Sequence, residues 1–232
     1  MIKALRATVV AALLCLCAQV SAGELFRPHL SLCAGAGALR SFFKSEGQMK
    51  AFMEPTSDVL RVTAPALGAG LDLMLGNYLG IETGLGYMRM GQSTEKTTVT
   101  LMDDPYRHDF ESHVYLDYIT VPLLLKGGVR KGFFSLFLRF GIQPSIMTGE
   151  DVEWIIDGNS LKHGGTRMPD VTMSSWIVPL RFGGEIGFHL RKNGLFLVGD
   201  YIYGFSDMGN GVNGDLFCRA YGASLQYRRE LF

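Results

Sequence analysis

Two sets of residues in this 232-residue chain have types and spacings that could do chemistry. The first is the run Asp103-Asp104-Pro105-Tyr106-Arg107-His108-Asp109-Phe110-Glu111-Ser112-His113. It holds hydroxyl, imidazole and carboxylate groups, the ingredients of a nucleophile, a base and an orienting acid, and so of ester or peptide hydrolysis. Neighbours on a strand point to opposite faces, so Ser112 and His113 meet only if the run folds back on itself; otherwise it is a solvated polar loop. The second set is scattered: Asp72, Glu82, Asp117, Arg139, Arg181, Glu185, Asp200 and Arg228 interrupt otherwise apolar or glycine-rich segments. Acids and arginines buried together must pair, because an isolated buried charge is expensive. That set reads as a rigid plug of salt bridges, with a narrow conducting path or a small-ligand cavity as the alternative.

Other chemistries find no support. His29, His108, His113, His163 and His189 lack the spacing of metal ligands. There is no phosphate-cradling glycine loop, so no cofactor is expected. Lys and Arg number 22 against 22 Asp and Glu, which leaves no global field for nucleic acid and no basic stripe to replace one.

The elements that must position these residues show a period of two. In Phe134-Ser135-Leu136-Phe137-Leu138-Arg139-Phe140-Gly141-Ile142-Gln143 the even positions are apolar, and Ser135, Arg139, Gly141 and Gln143 fall on the other face. Trp176, Val178, Leu180, Phe182, Ile186 and Phe188 repeat the pattern opposite Arg181, Gly183, Glu185 and His189. The alternation predicts about eight strands, near 29–39, 64–75, 79–91, 113–125, 133–147, 174–190, 195–205 and 215–231. No long stretch outside the N-terminus carries helical periodicity.

The N-terminus reads as an export signal over residues 1–22: Lys3 and Arg6, an apolar stretch Ala7 to Ala18, and small residues at Val20-Ser21-Ala22. Leu14 and Leu16 precede Cys15 and Cys17, where a lipid-attachment cysteine wants a small residue. The remaining 23–232 fits one domain. Connections alternate in length. Residues 40–63, 92–112 and 148–173 are long and polar, whereas Gly76-Asn77, Lys126 to Gly132 and Arg191 to Gly194 read as short turns.

The same alternation would serve a soluble sandwich with its apolar face inward. The export signal, the loop phase and the aromatics Tyr78, Tyr87, Tyr115, Trp176, Tyr203 and Tyr227 near strand ends favour the reverse. They predict an all-β fold, an eight-stranded antiparallel transmembrane β-barrel of up-and-down meander topology, with the lipid-facing side chains outward.

The stretch Tyr115-Leu116-Asp117-Tyr118-Ile119-Thr120-Val121-Pro122-Leu123-Leu124-Leu125-Lys126 resembles a strand typical of the PorT-like outer-membrane β-barrel family, and Tyr201-Ile202-Tyr203-Gly204-Phe205 resembles that family's segment before the final hairpin. The resemblance implies an outer-membrane location and a structural or interactive role in the envelope or in a secretion assembly, without catalysis. An outer-membrane hydrolase is the other class. Expected partners are outer-membrane lipid, the barrel assembly machinery, and other envelope proteins met through the long loops.

Two finer expectations follow. A three-residue turn at Gly76-Asn77-Tyr78 pairs Leu75 with Leu79 and sets Asp72 against Glu82, with Arg181 first and Arg139 second to neutralise them. Cys33 and Cys218 lie on the first and last strands at different heights, which favours two free thiols.

Overall fold

The computed structural model describes residues 28–45, 59–100, 107–164, 175–204 and 216–231. The candidate signal and residues 103–106 of the polar run lie outside them. Among the described residues thirteen strands form one antiparallel sheet. They are β1 (Pro28–Ser45), β2 (Val59–Leu75), β3 (Leu79–Thr94), β4 (Thr97–Thr100), β5 (Arg107–Thr120), β6 (Leu123–Lys131), β7 (Phe134–Ile142), β8 (Ser145–Ile156), β9 (Asn159–Gly164), β10 (Trp176–Ile177), β11 (Leu180–Leu190), β12 (Asn193–Tyr203) and β13 (Leu216–Glu230).

Eight of these close a ring in chain order, β1-β2-β3-β6-β7-β11-β12-β13, with β13 returning to β1. Following cross-strand partners from Leu32 leads through Leu71, Thr83, Leu123, Ile142, Leu180, Tyr203 and Arg219 back to β1 at Phe42. The circuit ends ten residues above its start, and that stagger tilts the strands about 35–45° from the barrel axis. The Leu75–Leu79 pairing and the Asp72–Glu82 opposition follow the register expected from the sequence.

Three staves are divided where single strands were expected. Pro122, Pro144 and Pro179 separate β6 from β5, β7 from β8, and β11 from β10, because proline offers no N–H to a ladder. The breaks lie side by side and are stitched together by Val121 N–H to Pro144 O (2.8 Å) and Gln143 N–H to Pro179 O (2.9 Å). Above this line the wall continues as β5, β8 and β10, and the stretches read as polar loops contribute β4, the start of β5, the end of β8 and β9. The β8–β9 hairpin turns on Asp157 and Gly158, both at positive φ (49° and 79°), as two-residue hairpin loops require. Asp157 accepts a hydrogen bond from the Asp109 N–H (2.8 Å) and meets His108 Nδ1 at 2.6 Å, contacts that hold its carboxyl below the usual carboxylate range.

Residues 126–132, expected as a turn, are mostly strand. β6 runs to Lys131 and the chain reverses at Gly132 (φ 61°) and Phe133. Gly128 faces Phe137 across the ladder, and a Cβ there would lie 2.8 Å from Phe137 Cδ1; the glycine lets that ring lie over the wall inside the barrel. Cys33 pairs with Arg228 and Cys218 with Phe43, far apart along the same ladder, and both thiols are free.

Exposure alternates along the ring. Leu136, Leu138 and Phe140 are exposed while Ser135, Phe137 and Arg139 are buried. Leu138→Arg should therefore cost about 2–4 kcal/mol if its position is near the bilayer midplane. Unfolding titrations in lipid vesicles check this, and a tolerated arginine would reverse the assignment of faces.

Candidate functional site

Inside the ring, the inward positions of seven strands bring eight charged side chains together. Four are acids, Asp72 (β2), Glu82 (β3), Glu185 (β11) and Asp200 (β12), and four are cations, Lys126 (β6), Arg139 (β7), Arg181 (β11) and Arg228 (β13). Alternation alone aims them at one space, because their neighbours at odd offsets are the exposed leucines and phenylalanines of the outer face.

Glu185 is the hub. Its carboxylate meets Lys126 Nζ at 2.7 Å, Arg228 Nη2 at 2.5 Å and Arg139 Nη1 at 3.5 Å, and its side chain has no exposed surface. Lys126 also reaches Asp72 Oδ2 (2.7 Å), and Arg228 touches Asp72 (2.9 Å) and Glu82 (3.3 Å). Arg139 bridges Glu82 (3.2 Å) and Asp200 (3.8 Å). Arg181 pairs with Asp200 at 2.5 Å and donates to Gln143 Oε1 at 2.8 Å. The lattice is formally neutral, as a low-dielectric interior demands.

Apolar and aromatic groups seal it. From the periplasmic side the Lys126 ammonium lies 5.2 Å from the Phe137 ring centre and the Arg228 guanidinium 3.9 Å from that of Phe196. Toward the outer end, Leu39, Phe43, Met88, Met90, Leu116, Tyr118, Ile177 and Ile202 pack into a buried apolar layer. Between the two is a cavity of about 90 Å³ whose polar lining includes Glu82, Gln143, Arg181, Asp200 and Gln226.

The structure corrects three expectations. Asp117 is not in the interior. On β5 the inward positions are Val114, Leu116, Tyr118 and Thr120, and Asp117 shares the outer face with Ile119, where Arg89 grips it through two bonds (2.7 and 2.9 Å) and the Tyr87 hydroxyl donates to it (2.5 Å). At that height the interior is apolar, with Leu116 and Tyr118 in the buried layer, so the expectation that charges face inward does not apply there. Nor is Arg181 the counter-ion of Asp72; Lys126 and Arg228 are. Lys126 escapes sequence reading because Gly127-Gly128 behind it suggests a turn, although the outward parity of Leu123 and Leu125 already placed it inside.

The hydrolase ingredients are rearranged as well. The Ser112 N–H donates to Thr94 Oγ1 (2.9 Å), and His108 is held by Asp157. His113 instead meets Ser93 Oγ at Nδ1 (2.7 Å) and Glu111 at Nε2 (3.0 Å), a Ser-His-Glu chain across the β3–β5 pair, with Ser93 buried.

Comparison with known proteins now bears on this geometry. Residues 37–210 match the outer membrane protein beta-barrel domain. The chain belongs to that family. It is accordingly a protein of the outer membrane, and the closed ring is its transmembrane wall. Among solved structures, the attachment invasion locus protein Ail of Yersinia pestis in complex with the heparin analogue sucrose octasulfate is 13% identical, covering 86% of this chain and 98% of its own, with a TM-score of 0.37. OprG of Pseudomonas aeruginosa is 10% identical over 90% and 98% of the two chains, TM-score 0.43. The outer membrane protease OmpT of Escherichia coli is 10% identical over 88% and 96%, TM-score 0.41. No curated protein matches the chain.

A buried hub and a rim pair should respond differently to neutralisation. Glu185→Gln should destabilise the family's barrel here by about 3–5 kcal/mol, because three cations lose a shared anion, whereas Asp117→Asn at the partly exposed rim should cost about 1 kcal/mol or less. Urea unfolding of both variants in detergent makes the comparison, and equal losses would contradict it.

Proposed function

We propose that this barrel is a closed, non-catalytic anchor that presents an outer β-sheet to other envelope proteins. The observation that carries the reading is the doubly sealed interior, a neutral salt-bridge lattice below an apolar layer, beside strands β5 and β8 that continue above the ring. Charges spent on a rigid core serve an anchor better than a channel. The outer hairpins are built with turn residues and cross-strand pins, which suits a surface that must keep its shape for a partner. The stretch from Tyr115 to Lys126 supports placing the chain in the PorT-like branch of the family, whose members work in secretion assembly; barrel assembly machinery and lipid are its remaining partners.

A second reading rests on Ser93, His113 and Glu111. That chain of contacts has the donor and acceptor order of an activated serine, with the imidazole nitrogens exchanged relative to the usual placement. A hydrolase of lipid or peptide would use Ser93 as nucleophile, His113 as base and Glu111 to orient it. Against it, Ser93 is 7% exposed.

The two readings predict different outcomes. Reconstituted into planar bilayers, the mature protein should give no stepwise conductance, and a serine-directed fluorophosphonate should leave it unlabelled. Photo-crosslinkers on the β8–β9 hairpin should trap a discrete partner in intact cells while crosslinkers at Leu136 or Leu197 trap lipid. Steady channels would refute the closed anchor, and labelling that disappears in Ser93→Ala would replace it with the hydrolase.

A further inference from the structure

The outer face of the wall carries three neighbouring arginines toward its outer end that the interior lattice does not use. Arg40 on β1 pairs across the sheet with Tyr221 of β13 and Thr63 of β2, and Phe42, two residues higher, pairs with Arg219. Arg61 of β2 lies beside them. Its guanidinium sits 5.0 Å from the Phe42 ring centre and 5.8 Å from that of Tyr221, and Nη1 donates to the Tyr221 hydroxyl at 3.1 Å. Arg40 lies beside the same phenol. Arg219 stacks on Tyr203 at 5.0 Å, and its Nε is buried with no hydrogen-bond partner among the described residues.

Stacking on aromatics fixes the guanidinium planes without neutralising them. Arg89, at a similar height on β3, is neutralised by Asp117. Among the described residues no carboxylate lies within 4.0 Å of Arg40, Arg61 or Arg219. Three cations gathered around Phe42 and Tyr221 repel one another, and an oxyanion with several acceptor oxygens would relieve that repulsion through charge-assisted bonds.

Directly below Arg40 begins a trench. Ala38, Ala223, Gly199 and Gly184 are successive cross-strand partners on β1, β13, β12 and β11, all on the outer face. The row above them is aromatic, Tyr221, Tyr201 and Phe182, the last two with ring centres 5.0 Å apart; the row below is aliphatic, Leu225, Leu197 and Ile186. The furrow under Arg40 measures about 540 Å³. Because of the barrel's stagger, a cross-strand row that leaves β1 toward β13 descends toward the periplasmic side. The trench therefore runs from the arginines at the outer rim into the hydrocarbon band, the course an acyl chain takes from its headgroup.

We propose that this face binds one phosphorylated lipid of the outer leaflet, with its phosphate held by Arg40, Arg61 and Arg219 and an acyl chain in the trench. The two halves explain each other: a cation cluster alone would take any soluble anion, and a trench of small residues alone would take any chain.

The test uses the mature protein in phosphatidylcholine nanodiscs containing a minor fraction of diphosphorylated lipid A, with dephosphorylated lipid A in a parallel set. Lipid retained on the protein is read by native mass spectrometry. Wild type should enrich the phosphorylated lipid over phosphatidylcholine by about tenfold, and the exposed double variant Arg40→Gln/Arg61→Gln should lose that enrichment while keeping a heat-modifiable barrel. Ala223→Leu, which fills the trench and leaves the arginines in place, should weaken retention of the lipid without changing binding of inorganic pyrophosphate. Equal enrichment of the dephosphorylated lipid, retention that survives the double variant, displacement of the lipid by pyrophosphate at matched concentration, or indifference to Ala223→Leu would each overturn the proposal.

Discussion

The neutrality of the interior lattice is the constraint on which the remaining structure depends. A narrow barrel must fill its own lumen with side chains, and here the strands deliver charges to it. Eight charges in a low-dielectric space persist only if each is met by its opposite, so the positions of Asp72, Glu82, Glu185 and Asp200 fix where Lys126, Arg139, Arg181 and Arg228 must lie. Lys126 and Arg139 are direct cross-strand neighbours, a repulsive placement in isolation, and Glu185 from β11 together with Glu82 from β3 offsets it. Register on both sides of the ring is thereby tied to one electrostatic arrangement. A slip of one residue on β6 or β7 would send the cation into lipid and a leucine or phenylalanine into the lattice.

Apolar layers around the lattice divide the molecule by height. Phe137 and Phe196 close it from below and the layer containing Met90, Leu116 and Tyr118 closes it from above. Where the interior turns apolar the outer face is free to turn polar, which is how Arg89 with Asp117, and Arg40 with Arg61 and Arg219, come to lie on the outside of the wall. The line of Pro122, Pro144 and Pro179 falls near this change, so the staves that carry the outer sheet leave the ring where its constraint ends.

Much of this was legible in the residues. Period-two alternation located the eight staves, and the turn at Gly76-Asn77-Tyr78 gave the opposition of Asp72 and Glu82. The misplacements have definite causes. The rule that charges face inward fails at Asp117, because there the inward positions, Leu116 and Tyr118, belong to the apolar layer. Lys126 is hidden by the Gly127-Gly128 pair, which lies within β6 and does not reverse the chain; Gly128 serves ring packing against Phe137. The choice of Arg181 as counter-ion reflects what parity cannot supply: it tells which face a residue occupies but not its height around a tilted barrel, and the ten-residue stagger moves Arg181 up to Asp200. The outer hairpins were masked by polar composition, although Asp157-Gly158 is a hairpin dipeptide.

The measurement that bears most directly on this account is a double-mutant cycle on unfolding in lipid vesicles, pairing Lys126→Met with Asp72→Asn and, as its control, Arg181→Gln with Asp72→Asn. The lattice predicts a coupling of about 1–3 kcal/mol for Lys126 with Asp72 and close to zero for Arg181 with Asp72. Coupling near zero for both pairs, or a large value only for Arg181, would mean that the interior charges are not arranged as one closed network.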